Sequence, residues 1–331
     1  MQSYVPDATT REQLKDRARR EQTGPRTEFW RSLPDLPARP ESGHKGTFGT
    51  AVAVGGSRGM SGAISLTGSA CLYAGAGLTQ LIVPDAVLET VAQFQREYTT
   101  IPCPCDAEGR FVDLSESAND KLNKATAVAV GPGMGRSDAL DRLVETLYAT
   151  LEKPAVFDAD ALNALAAKGI RLVDAPRAER IITPHPGEFE RLFGVKPGPD
   201  RGERIASAVK ALQYLARLHE SKLQGDFTLV LKGRETIVAR LDSRLEPLDA
   251  RVNETGNANL ATGGSGDALT GIILGLLAQG MSGFDAARLG AALHGLAAEL
   301  RATICSRGAV ASDVVRFLPV AFDYFQQARG K

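Results

Sequence analysis

A short apolar run that ends in a glycine-rich or polar turn and feeds a helix of small residues constrains the fold of this chain more than any other feature. Residues 50–54, Thr-Ala-Val-Ala-Val, read as a buried strand. Gly55-Gly-Ser-Arg-Gly59 turns the chain, and residues 60–76 carry a helical pattern rich in Ala, Ser and Gly. Gly75-Ala-Gly77 ends that helix, and residues 78–83 form the next apolar run before Pro84. Strand, turn, helix and strand make one βαβ unit, which implies parallel strands and a right-handed crossover. The pattern returns at residues 125–131, 154–157, 180–183 and 228–232, with helices expected over 137–150, 161–167, 188–193, 200–220 and 284–303. Residues 228–232 and 237–240 read as a hairpin, and a further extended piece reaches Asn253. The expected fold class is α/β: a mostly parallel central sheet with helices on both faces.

In such a sheet the functional groups gather beyond the carboxyl ends of the strands. Each strand here ends in a polar or glycine-rich segment: Gly55-Gly-Ser57, Gly131-Pro-Gly133, Asp158-Ala-Asp160, Thr183-Pro-His185, Lys232-Gly233 and the run Gly263 to Asp267. That last run offers the most chemistry. In Asn253-Glu-Thr-Gly-Asn-Ala-Asn-Leu-Ala-Thr-Gly-Gly-Ser-Gly-Asp267 turn residues run to Asp267, and an apolar helix pattern follows to Gly280. Glycines let a backbone approach an oxyanion closely, and the first N–H groups of a helix have no internal partner. Gly264, Ser265 and Gly266 are therefore candidate donors to a phosphate, with the Asp267 carboxylate beside them as a base. Asp267 also reads as a plain helix N-cap.

The neighbouring ends leave alternatives open. Asp158 and Asp160 either hold a magnesium ion through water or cap and position a helix. His185 lies between two prolines at a helix start, as a ligand group or a structural one. Lys232 either meets a nucleotide phosphate or snorkels at the strand end.

Composition excludes several classes. Lys plus Arg and Asp plus Glu both number 39, and this zero formal charge argues against nucleic acid or an anionic membrane as the main partner. No apolar run approaches the roughly 20 residues of a membrane helix. The N-terminus has no signal-peptide pattern. The 4 cysteines show no C-x-x-C pair, so reduced thiols and a cytoplasmic location are expected. No P-loop, G-x-G-x-x-G or zinc pattern is present. Residues 1–43, basic and then proline-rich, read as a solvated helix and an extended arm, able to pack on a neighbouring subunit. Residues 44–331 read as one domain with no linker inside it.

Taken together, His44-Lys-Gly-Thr-Phe-Gly49, Gly55-Gly-Ser57 with Met60-Ser-Gly-Ala63, Gly131-Pro-Gly-Met-Gly135, Asp158-Ala-Asp-Ala-Leu-Asn163, Thr183-Pro-His-Pro-Gly-Glu188, Leu231-Lys-Gly233 and Thr255-Gly-Asn257 through Gly271 resemble, in order, the ribokinase-like family of ADP- or ATP-dependent NAD(P)H-hydrate dehydratases. The glycine stretch resembles the bacterial, ADP-using branch. Glu254 departs from the proline usual there, which points to altered turn stiffness rather than lost chemistry. The resemblance implies a stand-alone enzyme without the fused epimerase domain of many relatives, since 43 leading residues cannot hold one.

It further implies repair of hydrated NADH and NADPH (NADHX and NADPHX), with ADP converted to AMP and phosphate. Asp267 would be the catalytic base and Gly264, Ser265 and Gly266 the anion hole. Ala63, Gly133 and His185, with Asp267, would contact the hydrated dinucleotide. Lys232, Gly233, Arg234, Glu235, Thr236 and Gly266 would contact the adenine nucleotide, with Asp158, Asn163 and Asn257 in support. Magnesium would be bound through phosphates with no dedicated protein cage, and the assembly would be a homotetramer. A small-molecule kinase acting on a vitamin precursor or sugar shares the same loop and base. A nucleotide-binding regulator without turnover is a third reading, against which Asp267 argues, because a carboxylate beside phosphate repels it.

Overall fold

The computed structural model describes residues 6–169, 175–219, 224–242 and 249–330. Two helices lead, α1 (Ala8–Glu21) and α2 (Thr27–Ser32). The first half of the sheet domain runs β1 (Thr50–Val54), α3 (Ser61–Tyr73), β2 (Leu78–Pro84), α4 (Leu88–Ala92), β3 (Thr99–Cys103), α5 (Glu116–Lys124), β4 (Ala127–Val130) and α6 (Asp138–Thr150). The second half runs β5 (Ala155–Phe157), α7 (Asp160–Lys168), β6 (Arg180–Ile182), α8 (Pro186–Phe193), α9 (Arg201–His219), β7 (Phe227–Leu231), β8 (Ile237–Leu241) and β9 (Asp249–Val252). Three helices close the chain: α10 (Ser265–Ala278), α11 (Gly283–Ala302) and α12 (Ala311–Ala328). Glu220, the expected end of the long helix, lies outside the described residues, as do residues 1–5 and Lys331.

The strands form one 9-stranded sheet in the order β3-β2-β1-β4-β5-β6-β7-β8-β9. The first seven pair in parallel, and β8 and β9 are antiparallel. The order reverses direction at β1 and β4, where loops diverge and leave a crevice at the carboxyl edge. Strand alternation splits the core into two layers. Ala51 and Ala53 face α3, α10, α11 and α12, while Val52 and Val54 face α5 to α9.

The sequence reading missed α4, β3, α5 and α12, and it took as extended the arm in which α2 forms. β3 carries Pro102, which suits only an edge strand, and it is the edge strand; its residues alternate between exposed and buried instead of forming a continuous apolar run. α5 is polar along most of its length and buries only Ala118 and Leu122. α12 contains Pro319, a residue that usually ends a helical pattern.

Small residues set the position of the site by bringing two helices close. A methyl added at Gly271 of α10 would overlap the Thr67 carbonyl of α3, and one at Gly275 would come within 2.7 Å of the Cys71 carbonyl. The two backbones therefore lie almost in contact, and the first turns of α3 and α10 open side by side at the crevice.

The leading segment is less solvated than its charge implies. Ala18 and Trp30 are buried against the chain's own α12, with the Trp30 and Phe325 ring centroids 6.2 Å apart. Here the aromatic residues decide the packing, because burying a Trp side chain stabilises the docked helices.

Candidate active site

Glycine geometry builds the crevice from the β1 side. Gly133, after β4, has φ +65°, and a methyl there would lie 2.7 Å from the Met60 carbonyl and 2.9 Å from the Ala63 Cβ. Gly133 and Ala63 are thus neighbours, as the shared edge requires. Ser57 locks the pair by donating from its hydroxyl to the Gly133 carbonyl at 2.8 Å.

Beyond β5, Ala159 adopts φ +52° and ψ −120°, a conformation that an L-residue holds only under constraint. The twist sends its two neighbours different ways. Asp160 accepts the Gly135 amide at 2.8 Å, closing the loop after β4. Asp158 turns inward, where Lys232 Nζ lies 2.6 Å from one oxygen and the Thr270 hydroxyl donates to the other at 2.7 Å. Asp158 is 1% exposed. Burial raises its carboxyl, but Lys232 and the hydrogen bonds outweigh it and hold Asp158 below its ordinary range. Burial likewise works against the Lys232 ammonium, while Asp158 and Glu188 raise it further, so it stays charged. Of the two sequence readings, the structure supports positioning for Asp158, and it gives Lys232 carboxylate partners rather than open water.

At β6, His185 is the N-cap of α8. Its Nδ1 accepts the Gly187 and Glu188 amides at 3.0 and 3.3 Å, and the Glu188 carboxylate accepts the His185 amide at 2.8 Å. Of the two readings, the structural one is thus observed. With Nδ1 occupied as acceptor, the neutral ring carries its proton on Nε2, which lies 3.5 Å from a Glu188 carboxylate oxygen. Burial, with Lys232 and Arg191 nearby, lowers the His185 pKa, which keeps the ring neutral. Glu188 is buried, lies 3.7 Å from Lys232, and is pushed up to about 7 by burial.

At the first turn of α10, Gly264 rather than Asp267 takes the N-cap position, with φ +84° and no side-chain cap. Asp267 is the third helical residue. Its carbonyl accepts the Thr67 hydroxyl at 3.1 Å, which pins the turn to α3, while its carboxylate has no hydrogen bond among the described residues. Burial, then the charge of Asp158, raises Asp267 to about 6. The Ser265 amide already donates to the Thr262 carbonyl at 3.3 Å, and the Ser265 hydroxyl is held 3.2 Å from His294 Nε2. His294 is buried and depressed to about 4, hence neutral. The amides of Gly264, Gly266 and Asp267 have no partner among the described residues. Lys232 completes this turn: a methyl on Gly266 would sit 3.3 Å from its Nζ.

The remaining candidates are placed around this centre. Gly233 to Thr236 form the exposed turn between β7 and β8, with Glu235 at φ +55° and the Arg204 guanidinium donating to the Leu231 and Lys232 carbonyls beneath it. Arg201 reaches Glu235 at 3.8 Å and Glu254 at 3.9 Å, which gives the unusual Glu254 an ionic contact. Asn163 accepts Arg191 at 2.9 Å. Asn257 caps the turn Ala258–Leu260 and donates to the Ala298 carbonyl at 3.1 Å, so its side chain shapes the loop. Thr270, Thr67, Glu188 and His294 were given no role from sequence. A lone Thr or His inside an otherwise apolar helix was the available signal for Thr270 and His294.

A carboxylate without a hydrogen-bond partner, open helix-start amides and a half-buried lysine meet at the carboxyl edge of a ribokinase-like fold, the kind of donor set that phosphoryl transfer uses. A family model described as NAD(P)H-hydrate dehydratase matches residues 51–319, and the chain belongs to that family. It is 39% identical over 269 residues to the ADP-dependent (S)-NAD(P)H-hydrate dehydratase of Neisseria meningitidis serogroup B, covering 80% of each chain. It is 40% identical over 287 residues to the bifunctional NAD(P)H-hydrate repair enzyme Nnr of Moorella thermoacetica, covering 86% of this chain and 51% of that protein. The chain thus spans about half the length of several curated relatives it matches. The Bacillus subtilis ADP/ATP-dependent NAD(P)H-hydrate dehydratase, co-crystallised with ATP and Mg2+, superposes with TM-score 0.69 at 29% identity, covering 90% of this chain and 96% of that one.

Proposed function

We propose that this protein dehydrates (S)-NADHX and (S)-NADPHX to NADH and NADPH, converting ADP to AMP and phosphate. The observation that carries the reading is Asp267: a carboxylate with no hydrogen-bond partner, raised to about 6, in the same helical turn as open backbone donors. Hydroxide is a poor leaving group on the hydrated ring. Asp267 accepts the hydroxyl proton as that oxygen attacks the terminal phosphorus of ADP. The oxygen–phosphorus bond forms, and AMP leaves. The ring nitrogen lone pair then expels phosphate, and loss of a proton from the adjacent ring carbon restores the double bond. The α10 amides stabilise charge on the transferring group, and Lys232 neutralises it from the side.

Ala63, Gly133 and the Nε2–H of His185 contact the dinucleotide. Lys232 to Thr236 and Gly266 contact ADP. Asp158, Asn163 and Asn257 hold these groups in place. Among the described residues no three His, Cys, Asp or Glu side chains converge on a metal position, and Lys232 already neutralises the converging pair Asp158 and Glu188. Magnesium fits here as an ion carried mainly by ADP phosphates, where it would offset their charge. A homotetramer in the cytoplasm is part of the same proposal, resting on the family alone, and sedimentation velocity checks the assembly.

The test incubates purified protein with hydrated NADH and either ADP or ATP while following reduced-nicotinamide absorbance. Recovery with ADP is expected. Recovery with neither nucleotide overturns the dehydratase reading, and recovery with ATP alone overturns the ADP assignment. A phosphorylated product that accumulates would identify a kinase instead.

A further inference from the structure

The loop that enters α10 is fastened along α11 by a row of contacts. Asn253 donates to the Ala291 carbonyl at 3.3 Å, Thr255 to the Ala292 carbonyl at 2.9 Å, and Asn257 to the Ala298 carbonyl at 3.1 Å. Gly256, at φ +113°, is held differently: its amide donates to the Glu299 carboxylate at 2.9 Å. Glu299 is in turn gripped from outside the sheet domain. Both of its oxygens accept from Arg26 Nη1, at 3.0 and 3.1 Å, and Arg17 lies 3.8 Å away.

Arg26 is itself fixed on three sides. Its second nitrogen donates to Glu21 at 2.6 Å, Glu21 accepts the Trp30 indole N–H at 3.0 Å, and the guanidinium stacks 5.1 Å from the Trp30 ring. The side chains of Arg26, Glu21 and Glu299 are only 19%, 14% and 14% exposed, so solvent screens this chain of charges weakly. Burial and the two carboxylates act oppositely on Arg26, and the carboxylates prevail, raising it further. Every residue of this grip except Glu299 precedes residue 51, where the family match begins.

We propose that Arg26 and Glu299 are positioning residues for the nucleotide side of the site: the leading helices clamp Gly256 and thereby fix the loop that presents the α10 amides to the phosphates. The clamp acts on ADP and not on the hydrated dinucleotide, which enters beside Ala63 and Gly133 on the other side of the crevice. It rests on the reading that a nucleotide diphosphate occupies this edge. An unclamped Gly256 frees the segment up to Gly264 without disturbing Lys232 or Asp267, whose partners lie just after β5, in α8 and in α3.

The test compares Arg26→Met, Arg26→Lys and Glu299→Gln with the parent protein. Arg26→Met keeps the aliphatic stem over Trp30 and removes the fork. Loss of a charged hydrogen-bonded pair at a loop anchor is expected to weaken ADP binding about tenfold by calorimetry. The KM for ADP should rise in parallel, while the KM for the hydrate stays near the parent value. Hydrogen exchange should quicken in peptides spanning 253–264 and nowhere else in the sheet domain. Trp30 is the single tryptophan, so its emission reports the detached clamp directly. Arg26→Lys should recover part of the ADP affinity.

Unchanged ADP affinity and unchanged exchange overturn the proposal, as does an equal rise in both KM values, which would mean general loosening. If Arg26→Met fails to fold, Arg26→Lys and Glu299→Gln carry the same comparison. A parent protein without turnover but with Arg26-dependent ADP binding overturns the dehydratase reading alone. Turnover with Arg26-independent ADP binding overturns the clamp alone, and a parent that binds no ADP overturns both.

Discussion

Asp267→Asn is expected to lower kcat by about 10²–10⁴-fold, the contribution of a positioned base, while ADP affinity holds or improves. Binding should survive because, under the proposed function, the α10 amides and Lys232 rather than the carboxylate meet the phosphates. Removing a negative charge beside them also relieves repulsion. The pH profile follows from the same residue. Asp267 works as a base only when ionised, so kcat/KM of the parent should fall as pH drops through about 6. The asparagine variant should lose that limb.

Stability should move the opposite way. A carboxyl raised in the folded state from 3.8 to about 6 contributes stability below its unfolded pKa, and that contribution is lost as pH rises through about 6. At pH 7 the ionised carboxylate is therefore a burden of up to about 3 kcal/mol at about 1.4 kcal/mol per unit, less whatever solvent screening removes. Asp267→Asn lifts it, so the inactive variant should melt higher than the parent at pH 7 and no higher at pH 4. Near-normal turnover in the variant would make Asp267 a helix-start residue and nothing more.

The position of Asp267 was legible because a run of glycines before an apolar helix restricts the backbone so strongly that little else fits. The same holds for the strand ends: polar groups directly after a buried strand have one edge to occupy, so Gly133, His185 and Lys232 could be assigned to it from order alone. What stayed hidden was pairing across the chain. Asp158 and Lys232 are far apart in sequence, and nothing local distinguishes a buried ion pair from a cap and a snorkelling lysine. Thr270 completes that pair from inside α10, where its hydroxyl looks like a minor flaw in an apolar pattern. The docking of the leading helices was hidden for a related reason. Their many charges read as solvent-facing, while Trp30 and Ala18, which decide the packing, are too sparse to form a period.

Lys232→Met should be the most destabilising single change at the site, by about 3–5 kcal/mol, because it leaves Asp158 buried without its cation. Asp158 and Glu188 would then face each other across the vacated position. The strain should ease at acid pH, where Asp158 escapes by taking a proton. Asp158→Asn should cost less, since Lys232 retains Glu188 at 3.7 Å and the asparagine oxygen can still accept from Thr270. The double variant removes both buried charges at once. Its melting temperature should therefore exceed that of Lys232→Met alone, a coupling that denaturant titrations of all four proteins would measure. Activity should not follow. Lys232 Nζ lies against the Gly266 backbone, so under the proposed function its charge serves the phosphates as well as Asp158. A double variant that regains stability but stays inactive separates those two duties. One that regains both would show that Lys232 acts only through the fold.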